Sequence, residues 1–173
     1  ANCLMAGDLY GSFISFNHVN YRLGITNFCF ADRVDTESFY DIWKRFKLNV
    51  IQGIPTSIMP LLRSIKKNHP DFLIEKVMYA GQPMSLQDRK WLKESLNTQR
   101  VSSVIGTTEA GQIGYQCEHQ QGQAHHLIDD YTYLEIVDEQ GAPVPLGEAG
   151  RLLVTTLTKS SFPLIRYDIG DSG

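Results

Sequence analysis

Val101-Ser102-Ser103-Val104-Ile105-Gly106-Thr107-Thr108-Glu109 is the stretch that decides the fold. A short run of apolar and small residues passes straight into a turn of glycine, two threonines and a glutamate, the pattern of a buried strand that empties into a loop. Toward the N-terminus the same alternation repeats. Ser85-Leu86-Gln87-Asp88 resembles a capping box and opens a helix through Trp91, Leu92 and Leu96, preceded by a strand from Lys76 to Ala80. Pro55-Thr56 begins a helix carrying Ile58, Leu61, Leu62 and Ile65, which ends at Lys66-Lys67-Asn68-His69-Pro70. Asn49 to Gln52 reads as a short buried strand before it. Earlier still, Thr36 is expected to cap a helix with Phe39, Ile42, Trp43 and Phe46 at helical spacing. This order predicts an α/β fold, a mainly parallel sheet with flanking helices. After Gly111 the pattern changes to strands at Tyr131 to Val137, Arg151 to Leu157 and Pro163 to Tyr167, separated by turn-rich segments. A smaller antiparallel, barrel-like β portion is expected there. The division falls into residues 1–112 and 113–173.

Composition narrows the function classes. Hydrophobic residues make up 42% of the 173 and charged residues 20%, which is ordinary for a packed globular domain. The formal net charge of −3 gives no electrostatic pull toward nucleic acid, so no nucleic-acid partner is expected. No apolar run approaches the roughly 18 residues of a membrane helix, and the first residues lack the basic start of a secretory signal. Cys3, Cys29 and Cys117 are odd in number and far apart, so a disulfide framework is not expected and a cytoplasmic location is the simplest.

In a parallel sheet, ligands bind beyond the carboxyl ends of the strands. Gly81-Gln82-Pro83 and Gly106-Thr107-Thr108-Glu109 both follow predicted strands directly. The second turn offers backbone N–H groups and two hydroxyls beside one carboxylate. That set suits a phosphate with its magnesium ion, since Mg²⁺ is usually held by one or two carboxylates plus substrate phosphates. Near the C-terminus, Pro163-Leu164-Ile165-Arg166-Tyr167-Asp168-Ile169-Gly170-Asp171 ends in a carboxylate on a turn that could accept hydrogen bonds from a ribose diol. Taken singly, each feature has a plainer explanation. Glu109 could be a helix N-terminal carboxylate, and Gly81-Gln82-Pro83 and Gly170-Asp171 could be ordinary turns.

Their order along the chain resembles the adenylate-forming (AMP-binding) enzymes, in particular the phenylacetate-CoA ligase-like branch. Val77 to Ser85 is similar to the family's Gly-x-Pro adenine loop, and Gly106-Thr107-Thr108-Glu109 to its Tyr-Gly-x-Thr-Glu motif. Gly147 to Lys159, continuing to Arg166-Tyr167 and Gly170-Asp171, is similar to that branch nearly throughout. The resemblance implies an enzyme that uses ATP to convert a carboxylic acid to an acyl-adenylate, then passes the acyl group to coenzyme A or another acceptor. It implies that Glu109 ligates Mg²⁺ and that Thr108 donates to the α-phosphate. Gly81, Gln82 and Pro83 would line the adenine, Ile105, Gly106 and Thr107 would complete the nucleotide loop, and Asp171 would hold the ribose. Ile105 stands where the family has Tyr, so an aliphatic platform replaces an aromatic one; Asp168 and Ile169 also depart from the family pattern. The family's upstream phosphate loop and its Lys-bearing C-terminal domain are not among these 173 residues. The chain therefore reads as part of the large N-terminal domain, not expected to complete adenylation alone.

Tyr10 to Gly24 corresponds to the segment that shapes the acyl pocket in this family. Phe13, Phe16, Asn17 and His18 replace a glycine-rich stretch there and suit a flat aryl acid, with Tyr79 and Ala80 placed at the same pocket. The plainer alternative is a helix packed on the core. Cys117 and His126 resemble a Cys…Gly-x-His pattern of the branch and suggest a zinc site, with His119 and His125 nearby, although a structural site needs four ligands. Three functions stay open: a CoA-forming aryl acid ligase, an adenylating enzyme with a different acceptor, and a non-catalytic nucleotide-binding module.

Overall fold

A computed structural model describes residues 1–8, 10–120 and 122–173. Among them, four parallel strands are built first: β1 (Asn2–Cys3), β2 (Val50–Gly53), β3 (Lys76–Ala80) and β4 (Arg100–Thr107). Two antiparallel strands, β5 (Gly111–Tyr115) and β6 (His126–Leu127), extend the sheet in the order β1-β2-β3-β4-β5-β6. A separate antiparallel sheet contains β7 (Thr132–Val137), β8 (Arg151–Thr156) and β9 (Tyr167–Ser172). The changeover between the sheets lies between Leu127 and Thr132. The fold is thus α/β with a mostly parallel sheet and a smaller antiparallel portion, as the alternation of elements predicts.

The helices follow from their patterns. α2 (Thr36–Phe46) buries Phe39 and Tyr40, α3 (Pro55–Asn68) buries Ile58, Leu61, Leu62 and Ile65, and α4 (Leu86–Leu96) buries Leu92 and Leu96. These side chains meet Ile51, Val77 and Tyr79 of the sheet in one core, so α2 to α4 cover one face. Strand alternation turns Gln52, Met78 and Ala80 to the opposite face. There α1 (Ser12–Arg22) is docked by polar contacts, with Asn20 and Gln52 exchanging hydrogen bonds of 2.8 and 3.2 Å.

Two local expectations are corrected. The cap of α2 is Asp35, whose carboxylate accepts from the Ser38 N–H at 2.8 Å; Thr36 is the first helical residue. The expected strand from Pro163 to Tyr167 is displaced, and β9 begins at Tyr167. The cause is side-chain capture. The Leu164 N–H is bound by Thr156 Oγ1 and the Arg166 N–H by Thr155 Oγ1, each at 3.0 Å, so these N–H groups are diverted from a regular ladder.

Candidate functional site

Ala80, the last residue of β3, is the register partner of Val104, and β4 runs on to Thr107, so the loop after β3 opens beside Ile105 at the end of the sheet that carries the β4 turn. The two predicted loops are therefore neighbours at one edge. β4 continues into a bulged hairpin with β5, its register shifting between Ile105 and Gly106. Glycine is required at 106: a Cβ there would stand 2.5 Å from the Gly111 carbonyl oxygen and 3.0 Å from Gln112 Cα. The tip of the hairpin is fixed by Thr107, whose hydroxyl accepts from the Ala110 N–H at 3.0 Å. This leaves Thr108 and Glu109 exposed at the tip.

The strand that carries Asp171 packs beside this hairpin through Ile169. Ile169 of β9 joins a cluster with Ala110, Ile113, Val154 and Leu164, against which Ile105 and Leu134 also pack. The same residues that flank the Gly-Thr-Thr-Glu turn therefore seat the strand that carries Asp171. The β8–β9 ladder is irregular there, pairing Leu153 with Asp168 but Arg151 with Ser172. Gly170, at φ +79, makes the turn. Asp168 holds its shape by accepting from the Gly170 N–H at 2.9 Å and from Arg151 at 2.6 Å. The Gly170 N–H, and then Arg151, keep the Asp168 carboxyl below the usual carboxylate range despite some desolvation.

Lys159 is a contributor to which the sequence assigned no role. Its ammonium donates to the Glu109 backbone carbonyl at 2.6 Å, tying the second sheet to the hairpin tip. It closes the long Gly147–Lys159 segment, and only the resemblance of that segment could have pointed to it. Among the described residues the Glu109 carboxylate has no ion pair. A single unpaired carboxylate beside threonine hydroxyls fits Mg²⁺, which takes few protein ligands and completes its shell with water and substrate phosphates.

The acyl-pocket residues divide between the faces of the sheet. Phe13 and Phe16 are half-buried and His18 is exposed on α1, the side to which Ala80 turns. Tyr79 lies on the other face, 1% exposed in the core, its hydroxyl bonded by Arg89 of α4. Asn17 takes part in the fold: its Oδ1 accepts from Asn2 at 2.8 Å and Asn27 at 2.6 Å, while the buried Asn2 also reaches the Phe13 carbonyl.

Cys117 and His126 do meet, Sγ to Nε2 at 3.1 Å. The other histidines do not join them. His119 pairs with Glu118 in solvent, and His125 turns its Nε2 to the Ser103 hydroxyl at 2.5 Å. Among the described residues no group of three or more His, Cys, Asp or Glu side chains could hold a metal. Two ligands do not fit a four-coordinate structural zinc. Burial, and secondarily the charge of Arg89, lower the His125 pKa although the Gln123 carbonyl opposes them. No helix among the described residues is long and apolar enough to cross a membrane.

Comparison with known proteins bears on the family and the fold. Residues 11–158 match the family described as AMP-binding enzyme. Indoleacetate–lysine synthetase of Pseudomonas savastanoi is 27% identical over 139 residues, covering 79% of this chain and 32% of that protein. Phenylacetate-coenzyme A ligase of Thermus thermophilus is 31% identical over 135 residues, covering 73% and 29%. The chain thus spans about a third of the length of the curated relatives it matches. Among solved structures, 2-hydroxyisobutyryl-CoA ligase in complex with 2-HIB-AMP and CoA superposes with a TM-score of 0.81 at 20% identity, covering 99% of this chain and 39% of that one.

Proposed function

This chain belongs to the AMP-binding enzyme family of adenylate-forming acid ligases, and from that premise we propose that the protein activates an aryl or aryl-acetic carboxylic acid with ATP and transfers the acyl group to coenzyme A. One observation carries the proposal: the loop after β3 opens beside Ile105 of β4, and the cluster beneath the β4–β5 hairpin packs Ile169 of the strand bearing Asp171. In this assignment the backbone of Gly81, Gln82 and Pro83 borders the adenine, with Ile105 and Gly106 as its aliphatic floor. Asp171 accepts from the ribose hydroxyls. Thr107 shapes the tip, and Thr108 donates to the α-phosphate. Glu109 would hold Mg²⁺ together with the phosphates, and the bound ion would supply charge neutralisation at the α-phosphate. Lys159 positions Glu109 through its backbone and adds a positive charge near the phosphates.

The acid would lie on the α1 side of the sheet, against Phe13, Phe16 and Ala80, with His18 available to a polar substituent. Asn17 supports that wall through Asn2 and Asn27. Aromatic walls of this kind favour a planar acid by stacking and apolar contact. The phenylacetate-coenzyme A ligase relative supports both the acid class and the CoA acceptor. A second acceptor class is supported by the relative that joins indoleacetate to lysine, which matches a similar length of the chain. Acid-dependent exchange of pyrophosphate into ATP, measured on the full protein with a panel of aryl acids, tests the first step. Thioester formation with coenzyme A, compared with amide formation from lysine, tests the second. Exchange with no acid in the panel would overturn the assignment.

A further inference from the structure

A groove of about 1010 Å³ runs along α4 to the starts of β3 and β4, with Leu86, three residues after Pro83, at one end and Lys76 and Arg100 at the other. Five basic side chains line it against two acidic ones, in a chain whose formal net charge is −3. Leu86, Arg89, Lys90 and Lys93 fall three and four residues apart and so share one face of α4. Arg100 and Val101 of β4 form the facing wall.

The charges of this groove are unevenly matched. Lys76 pairs with Glu75 at 3.2 Å, Arg100 with Glu118 at 3.3 Å, and Lys90 loosely with Glu94 at 3.8 Å. Among the described residues neither Arg89 nor Lys93 has an ion-pair partner. Arg89 is nevertheless held in place. Its Nη2 donates to the Tyr79 hydroxyl, to Gln116 Oε1 at 3.1 Å and to the Gly122 carbonyl at 3.3 Å, all neutral acceptors. Its guanidinium carbon lies 5.3 Å from the centre of the Tyr79 ring. Nε and Nη1 have no hydrogen-bond partner among the described residues, so the two N–H groups of Nη1 stay able to donate to a ligand. Like charges at i and i+4 destabilise a helix, and Arg89 with Lys93 is such a pair.

We propose that this groove is a second ligand site, which takes the phosphate group of a phosphorylated small molecule. Nη1 of the held Arg89 can donate a charge-assisted hydrogen bond to a phosphate oxygen. Lys93, one turn along, supplies the second positive charge that a dianion needs and a single carboxylate would not. Leu86, which is 78% exposed, and Val101 offer apolar surface to the organic part.

The test is a titration of the protein with phenyl phosphate and, separately, inorganic phosphate at low ionic strength, followed by amide chemical shifts in NMR. The proposal predicts saturable shifts concentrated in residues 86–93 and 100–101, tighter binding of phenyl phosphate than of inorganic phosphate, and weakening by added salt. Arg89→Gln should reduce the affinity at least tenfold and Lys93→Gln about fivefold. Because Arg89 also braces Tyr79 and Gly122, the exposed Lys93 supplies the variant that leaves the fold intact. Saturation confined to residues 106–109, the absence of saturable shifts, or unchanged affinity in Lys93→Gln would each overturn the proposal.

Discussion

Replacing Gly106 by alanine tests the hairpin geometry directly. The added Cβ would sit 2.5 Å from the Gly111 carbonyl oxygen, 3.0 Å from Gln112 Cα and 3.2 Å from the Gly111 carbonyl carbon. These are backbone atoms of the paired strand, so no side chain can rotate away. Restoring an ordinary contact of 3.4 Å requires the strands to part by about 0.9 Å at this point. Overpacking of that kind costs about 1–3 kcal/mol, which for a chain of this size lowers the melting temperature by roughly 2–12 °C. The tip that carries Thr108 and Glu109 moves with the strand. A displacement near 1 Å at a reacting centre can cost about a hundredfold in rate, so pyrophosphate exchange should fall far more than stability does. Gly11→Ala is the control. Its Cβ meets nothing closer than Ser15 Oγ at 4.0 Å, so it adds no clash, and as the N-cap of α1 it should cost no more than about 1 kcal/mol. Thermal melting and exchange activity of both variants, measured side by side, read out the two effects. Should Gly106→Ala keep the melting temperature and activity of the parent, the close approach of β4 and β5 is not what places the loop.

Three further outcomes are expected. Lys159→Met removes the 2.6 Å donation to Glu109, and the rate of exchange should drop about three- to tenfold with little change in melting temperature, the exposure of the contact limiting its worth. Asp168 has a folded pKa depressed by Gly170 and Arg151, so its stabilisation is present above the ordinary aspartate range near 3.9 and is lost as pH falls through the folded pKa. Between pH 6 and pH 2 the parent should therefore lose more melting temperature than Asp168→Asn, and equal losses would remove Asp168 from the scheme. The Cys3 thiol is pushed up to about 12 by burial, whereas Cys29 is exposed. Maleimide at neutral pH should label Cys29 at once and Cys3 only after denaturation, as mass spectrometry of peptides would show.

The parallel half of the fold was legible because its signals are local. Ser85 does cap α4, its hydroxyl accepting from the Asp88 N–H at 3.0 Å, and the apolar spacing of α2 and α3 marks the buried stripe of each. What could not be read depends on contacts distant in sequence. Nothing near residue 164 says that hydroxyls of β8 will take its N–H and that of Arg166, so a stretch that looks like a strand is displaced by one that looks like a turn. Tyr79 and Ala80 are adjacent in sequence, which suggests one pocket, yet strand alternation sends them to opposite faces. The Cys117–His126 encounter was visible as a pattern, whereas the diversion of His125 to Ser103 needed the fold. Likewise Lys159 reaches Glu109 across fifty residues of chain, with no local signal.

A crystal structure of the protein with AMP bound would test the nucleotide assignment most directly. The nucleotide should lie with its adenine along residues 81–83, its ribose hydroxyls on Asp171 and its phosphate at Thr108. Nucleotide found on another surface, with Glu109 and Asp171 both untouched, would contradict the assignment.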